Sequence, residues 1–71
     1  MTRLGPTLRR LRSDRRISQD KLAGEVQVTP RYLSQLEAGV QTNPSRLVLQ
    51  RLAKALGVEV GELREERRAT R

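Results

Sequence analysis

Arg31 and Gln35 stand one helical turn apart in the run Thr29-Pro30-Arg31-Tyr32-Leu33-Ser34-Gln35-Leu36-Glu37, and the chemistry they offer is recognition rather than bond making. An arginine fork donates two hydrogen bonds to the O6 and N7 acceptors of guanine, and a glutamine carboxamide pairs a donor and an acceptor with adenine. At about 100° per residue, Leu33, Leu36 and Glu37 fall on one side of a helix and Arg31, Ser34, Gln35 and Ala38 on the other. One face packs and the other is available. Ser34 is small enough to reach a base or a phosphate without blocking approach. Arg31 and Gln35 taken alone also fit an ordinary solvated surface, so their neighbours decide.

Glu37 lies on the inward flank of that helix, where a half-buried acid needs a partner. Arg12, on the flank of a Leu8 and Leu11 stripe, is the expected one, giving a structural ion pair; the alternative is a Glu37 solvated near the helix end. Nothing else in the chain is provisioned for catalysis. Without cysteine or histidine there is no zinc cluster, no disulfide framework and no imidazole base. Serine, aspartate and two lysines do not assemble into a nucleophile and its base. The expectation is a protein that is not an enzyme, with no catalytic residue, no metal, no cofactor and no evident small-molecule ligand.

The elements that must position these side chains are short helices. Helix 1 is expected to start after Gly5, with Pro6 at its first position, and to run to about Arg15. Leu4, Leu8 and Leu11 form its inward stripe; Arg9, Arg10 and Arg16 point away, and Arg15 falls near the stripe's line. Helix 2 starts at the cap Ser18, with Asp20 in its first turn and Ile17 and Leu22 as a hydrophobic staple. Ala23 allows a close helix approach at its middle. The next start repeats that pattern, with Thr29 as cap, Pro30 first, and Val28 and Leu33 as staple, so helix 2 has room for about two turns. Helix 3 runs to Ala38, and Gly39 takes the left-handed closing conformation. A polar loop, Gln41-Thr42-Asn43-Pro44-Ser45, ends in a cap that is either Asn43 or Ser45. Helix 4 follows to Leu56 with Leu49, Leu52, Ala53 and Leu56 on one face, and Gly57 ends it. A short helix 5 from about Val60 carries Leu63 inward and passes into a charged tail, residues 64–71.

This is an all-α reading: one compact five-helix domain spanning residues 1–71, in which helices 2 and 3 have the arrangement of a helix-turn-helix. Composition agrees. The apolar residues are mostly Leu and Val, Tyr32 is the one aromatic, and the longest apolar run, Leu47-Val48-Leu49, is far short of a membrane span. A chain of 71 residues buries only about 60% of its unfolded surface, so stability is modest unless it dimerises. The net charge is +7, and it is uneven: residues 1–37 hold eight Lys or Arg against four acids, residues 38–57 hold Arg46, Arg51 and Lys54 against none, and the last fourteen balance four against four. Such an excess around the motif fits a polyanionic partner.

Leu11-Arg12, Ser18-Gln19, Leu22-Ala23, Tyr32-Leu33-Ser34, Leu36-Glu37, Gly39, Asn43-Pro44-Ser45, Leu49, Leu52-Ala53, Ala55-Leu56-Gly57-Val58 and Leu63 together resemble the Cro/C1-type (XRE family) helix-turn-helix domain of phage repressors and small bacterial regulators. Restriction-modification controller proteins and small phage-type repressors are the nearest in wording. The resemblance implies the lambda-repressor-like form of the five-helix bundle and a prokaryotic, cytoplasmic setting. It places base reading at Pro30, Arg31 and Gln35, with Ser34 adjacent; Pro30 offers only apolar contact, for instance to a thymine methyl, so Arg31 carries most discrimination. Phosphate contacts fall on Gln19, which would also brace helix 3, on Thr29 and Tyr32, and on Thr42, Asn43, Ser45 and Arg46. Tyr32 is equally able to lay its ring over the core. One position departs from the family: the turn between helices 2 and 3 usually has glycine, and here it is Gln27, at a cost of about 1 kcal/mol.

The expected function is a sequence-specific transcriptional regulator. It would bind double-stranded DNA as a homodimer on a pseudo-palindrome, with helix 3 in the major groove and the two-fold contact made by helix 5 and the end of helix 4. The alternative is a protein- or RNA-interaction module of the same fold, antitoxin-like, with only nonspecific DNA affinity; Pro30 at a reading position favours it.

Overall fold

A computed structural model describes residues 4–41 and 43–64 of the chain. They form α1 (Leu4–Asp14), α2 (Gln19–Val26), α3 (Pro30–Ala38), α4 (Arg46–Leu56) and α5 (Val60–Arg64), with no strand among the described residues. The all-α, five-helix expectation holds. Thr42 and residues 65–71, expected respectively as a phosphate contact and as most of the tail, lie outside the described residues. Arg64, expected in that tail, closes α5 instead.

Each middle helix begins where a hydroxyl satisfies a backbone donor that no helical carbonyl reaches. Ser18 Oγ accepts from the Lys21 amide at 3.0 Å, Thr29 Oγ1 from Tyr32 at 3.0 Å, and Ser45 Oγ from Val48 at 3.2 Å. The last bond decides between the two candidate caps of α4 in favour of Ser45. Helix ends use left-handed residues: Gly39 (φ 84°) and Gly57 (φ 74°) close α3 and α4, but Arg16 (φ 56°) and Gln27 (φ 63°) occupy the same conformation after α1 and α2. The Gln27 amide reaches back to the carbonyls of Ala23 and Gly24. A β-carbon in this region costs about 1–2 kcal/mol, and glycine returns about 0.5–1 of that through its freer unfolded chain. Gln27→Gly is therefore expected to raise stability by about 0.5–1 kcal/mol, seen as a melting temperature a few degrees higher.

The start of α1 differs from expectation. The helix already includes Leu4 and Gly5, and Pro6 sits inside its first turn, where amide donors have no helical partner to lose. Its last helical residue is Asp14 rather than Arg15, because the chain turns left-handed at Arg16, with the Ile17 amide bonding the Arg12 carbonyl at 3.1 Å. Gly5 does not precede the helix; it is where α1 meets α3. A β-carbon placed there would lie 2.7 Å from the Glu37 carbonyl oxygen and 2.8 Å from that of Leu36.

Leu4, Leu8, Leu22, Ala23, Val26, Leu33, Leu36, Leu49, Leu52, Ala53, Leu56 and Leu63 form one buried core, and the staple residues Ile17 and Val28 pack against it half-buried. α3 packs on α1 and α2, α4 on α2 and α5, and α5 on α1. α3 is thus held from behind along its leucine side, and its opposite side is free.

Candidate nucleic-acid interface

That opposite side begins at the Thr29 cap. Pro30, Arg31 and Ser34 are exposed, so the first turn and a half of α3 presents an apolar ring, a guanidinium and a hydroxyl to solvent. Gln35 is half-buried instead of fully outward. The chain after Gly39 returns to it: the amides of Val40 and Gln41 both donate to the Gln35 carbonyl, at 2.9 and 3.1 Å. Tyr32 is half-buried and packs on the core, so its ring covers apolar surface and its polar end is left at the rim.

Two other helices precede and follow α3 in the chain. Gln19 opens α2 and Arg46 opens α4, and helix N-termini carry unpaired amide donors and the positive end of the helix dipole. Thr29 and Ser45 use an acceptor lone pair in capping, which leaves each O–H free to donate. Asn43, Ser45 and Arg46 are exposed, while Pro44 between them is buried and pins the loop. Sequence reasoning treated Pro44 only as part of a polar loop; its flanking Asn43 and Ser45 concealed an anchor.

Behind this surface Glu37 gathers three elements. Its side chain is only 4% exposed, deeper than a half-buried flank position, and that of Arg12 15%. Arg12 Nε donates to Glu37 Oε2 at 2.6 Å and Arg12 Nη2 to Oε1 at 3.0 Å, a bidentate pair joining α1 to α3. Gln19 Nε2 donates to the same Oε1 at 3.0 Å, joining the start of α2. Arg12 Nη1 donates to the Ile17 carbonyl at 2.8 Å, fixing the α1–α2 turn. The hydrogen bonds to Glu37 raise the Arg12 pKa above its ordinary value despite some desolvation. A raised cationic pKa contributes stability that is complete below the ordinary value and lost only above it, so no accessible pH discharges the pair from the arginine side. Every buried side-chain nitrogen and oxygen among the described residues has a partner.

Residues 8–63 match the helix-turn-helix family, and they include both helices of the motif and the hub that binds them. The chain belongs to the Cro/C1-type helix-turn-helix family. Its family membership is echoed in known proteins. It is 45% identical over 58 residues to the HTH-type transcriptional regulator DdrOP3 of Deinococcus deserti, a match covering 82% of this chain and 44% of that one. Its fold superposes on a crystal structure of SinR, described as the master regulator for biofilm formation, in complex with DNA. The TM-score there is 0.80 with 33% identity, covering 84% of this chain and 95% of the other. The restriction-modification controller protein C.AhdI of Aeromonas hydrophila gives 0.79 with 35% identity, covering 84% and 89%. The chain spans from 40% to 60% of the length of the curated relatives it matches. Among the described residues no helix is long and apolar enough to cross a membrane.

Proposed function

We propose that the chain is a DNA-binding transcriptional regulator that lays α3 in the major groove and reads bases chiefly through Arg31. The observation that carries this reading is the exposed Pro30-Arg31-Ser34 edge at the start of α3, backed by a helix that the Glu37 hub holds to both neighbours. The DNA complex of the relative SinR supports the partner class. Gln35 serves as a second reader once its half-buried carboxamide swings out, and Pro30 touches a thymine methyl. Phosphate is held by Gln19, Thr29, Tyr32, Thr42, Asn43, Ser45 and Arg46. Gln19 has two amide hydrogens; one is spent on Glu37, and the other, with the α2 backbone amides, faces the anion.

Tight operator binding favours two copies, because one small module contributes only about 600–1,000 Å² of protein–DNA interface. The homodimer would use α5 and the end of α4, where Val58 and Val60 are half-buried, and the site would be pseudo-palindromic. A cytoplasmic setting follows from that role.

Arg31→Ala is expected to cost about 1–3 kcal/mol on the best duplex and to relax preference at one base position in each half-site. Gel shifts against selected and scrambled duplexes over a salt series check both. A steep salt response with no preference for any duplex in the unaltered protein would leave only counterion release. That outcome would favour the interaction-module reading that Pro30, with no side-chain donor, suggests.

A further inference from the structure

Among the described residues two left-handed ones are not glycine, and both sit at the corners of α2. Arg16 is the more telling. It follows the last turn of α1, where its amide bonds the Ser13 carbonyl at 2.9 Å and the next amide bonds Arg12. This geometry is the glycine-closed helix end, made here with a long cation at an energetic cost. Backbone strain of this kind persists where something else selects the side chain. The arginines around it are otherwise engaged: Arg12 binds Glu37 and the Ile17 carbonyl, and Arg15 Nη1 donates to the Leu11 carbonyl at 3.2 Å. Arg16 is exposed, and nothing among the described residues hydrogen-bonds or pairs with its guanidinium.

Its position is fixed relative to the proposed phosphate contact. Arg16 precedes Gln19 by three residues, a chain length that spans at most about 10 Å; the Arg12–Ile17 bond ties one end of that segment to Arg12 of α1, itself paired with Glu37, and the Gln19–Glu37 bond ties the other end to α3. Along one DNA strand, charges recur every ~3.4 Å of helix axis. We propose that Arg16 grips a second phosphate, beside the one held at the start of α2, so that the phosphate contacts extend beyond the helix-turn-helix onto the end of α1. This rests on the DNA-binding reading above and adds a contact to it.

The test exploits the strain. Arg16→Gly removes the cation and at the same time relieves the left-handed backbone. It is expected to melt a few degrees higher while binding the preferred duplex about eightfold more weakly at 0.1 M salt, the factor that one lost phosphate contact gives. The slope of log affinity against log salt should shrink by about 1. Arg16→Asn, neutral and tolerant of the conformation, should weaken binding equally, and Arg16→Lys should restore most of it. Arg9→Gln, the same change in net charge on the exposed side of α1, should alter affinity by less than twofold. A stabilised Arg16→Gly protein with unchanged affinity and slope would overturn the proposal, as would an equal loss from Arg9→Gln. If Arg31→Ala still relaxes base preference in that case, only the Arg16 contact fails; if the unaltered protein has no duplex preference, the reading beneath it fails.

Discussion

Glu37→Ala is expected to lower the unfolding free energy by about 3 kcal/mol, because it strips a mostly buried arginine of its counter-charge and leaves the cation desolvated. For a domain of this size that corresponds to a drop of roughly 12–24 °C in melting temperature. The loss comes from three bonds at once: two from Arg12 and one from Gln19. Desolvation decides the magnitude, since an exposed pair of the same geometry is worth about 1 kcal/mol or less. Replacing both partners with apolar residues, as in Arg12→Met with Glu37→Leu, should recover much of the stability. It should not recover DNA affinity fully, because Gln19 would still lack its brace. Thermal melts of the single and double variants measure the first effect, and duplex binding measures the second. A single variant that melts within 2 °C of the parent would mean that water already shares the pair, by the same ~4–8 °C per kcal/mol scale.

Gly5→Ala is expected to be nearly as costly, about 3 kcal/mol, at the upper end of what one added methyl does in a packed interior. The atoms it would strike are backbone carbonyl oxygens of Leu36 and Glu37, not the flexible end of a side chain, so relief requires α1 to move away from α3. The Arg12–Glu37 pair spans the same interface. The substitution would therefore stretch the hub as well as the backbone contact, and the two losses should not add independently. A double-mutant cycle with Glu37→Ala reads this coupling: the combined loss should fall short of the sum by about 1 kcal/mol. In an exposed helix the same change would be favourable by about 0.5–1 kcal/mol, so the sign alone separates a packing glycine from a helix-breaking one.

That distinction explains much of what the sequence revealed and what it concealed. Ser18, Thr29, Gly39 and Gly57 mark helix ends by side-chain chemistry that acts locally, and leucines at helical spacing mark the buried sides, so all five helices are legible from residue type alone, with α1 misplaced at its ends. Gly5 is ambiguous at that level, because the same residue signals a break in the chain and a close approach between helices. Only the distance between α1 and α3 separates the two. Arg16 carries no cue at all: its conformation follows from where α1 must stop, and no glycine announces it. The helical wheel gave Glu37 a direction but not a depth, and it gave Gln35 an outward direction where the residue is half-buried. The base-reading roles proposed for Arg31 and Gln35 depend on a partner outside the chain, and periodicity carries no information about that partner.

The proposed DNA surface is tested by amide chemical shifts followed by NMR as a selected duplex is added. The largest changes are expected to cluster at Arg16 to Lys21, Thr29 to Gln35 and Asn43 to Arg46, with smaller changes at Val58 to Leu63 if two copies meet there. Changes confined to α5 and the outer side of α4, with the Pro30-Arg31-Ser34 edge unmoved, would contradict it.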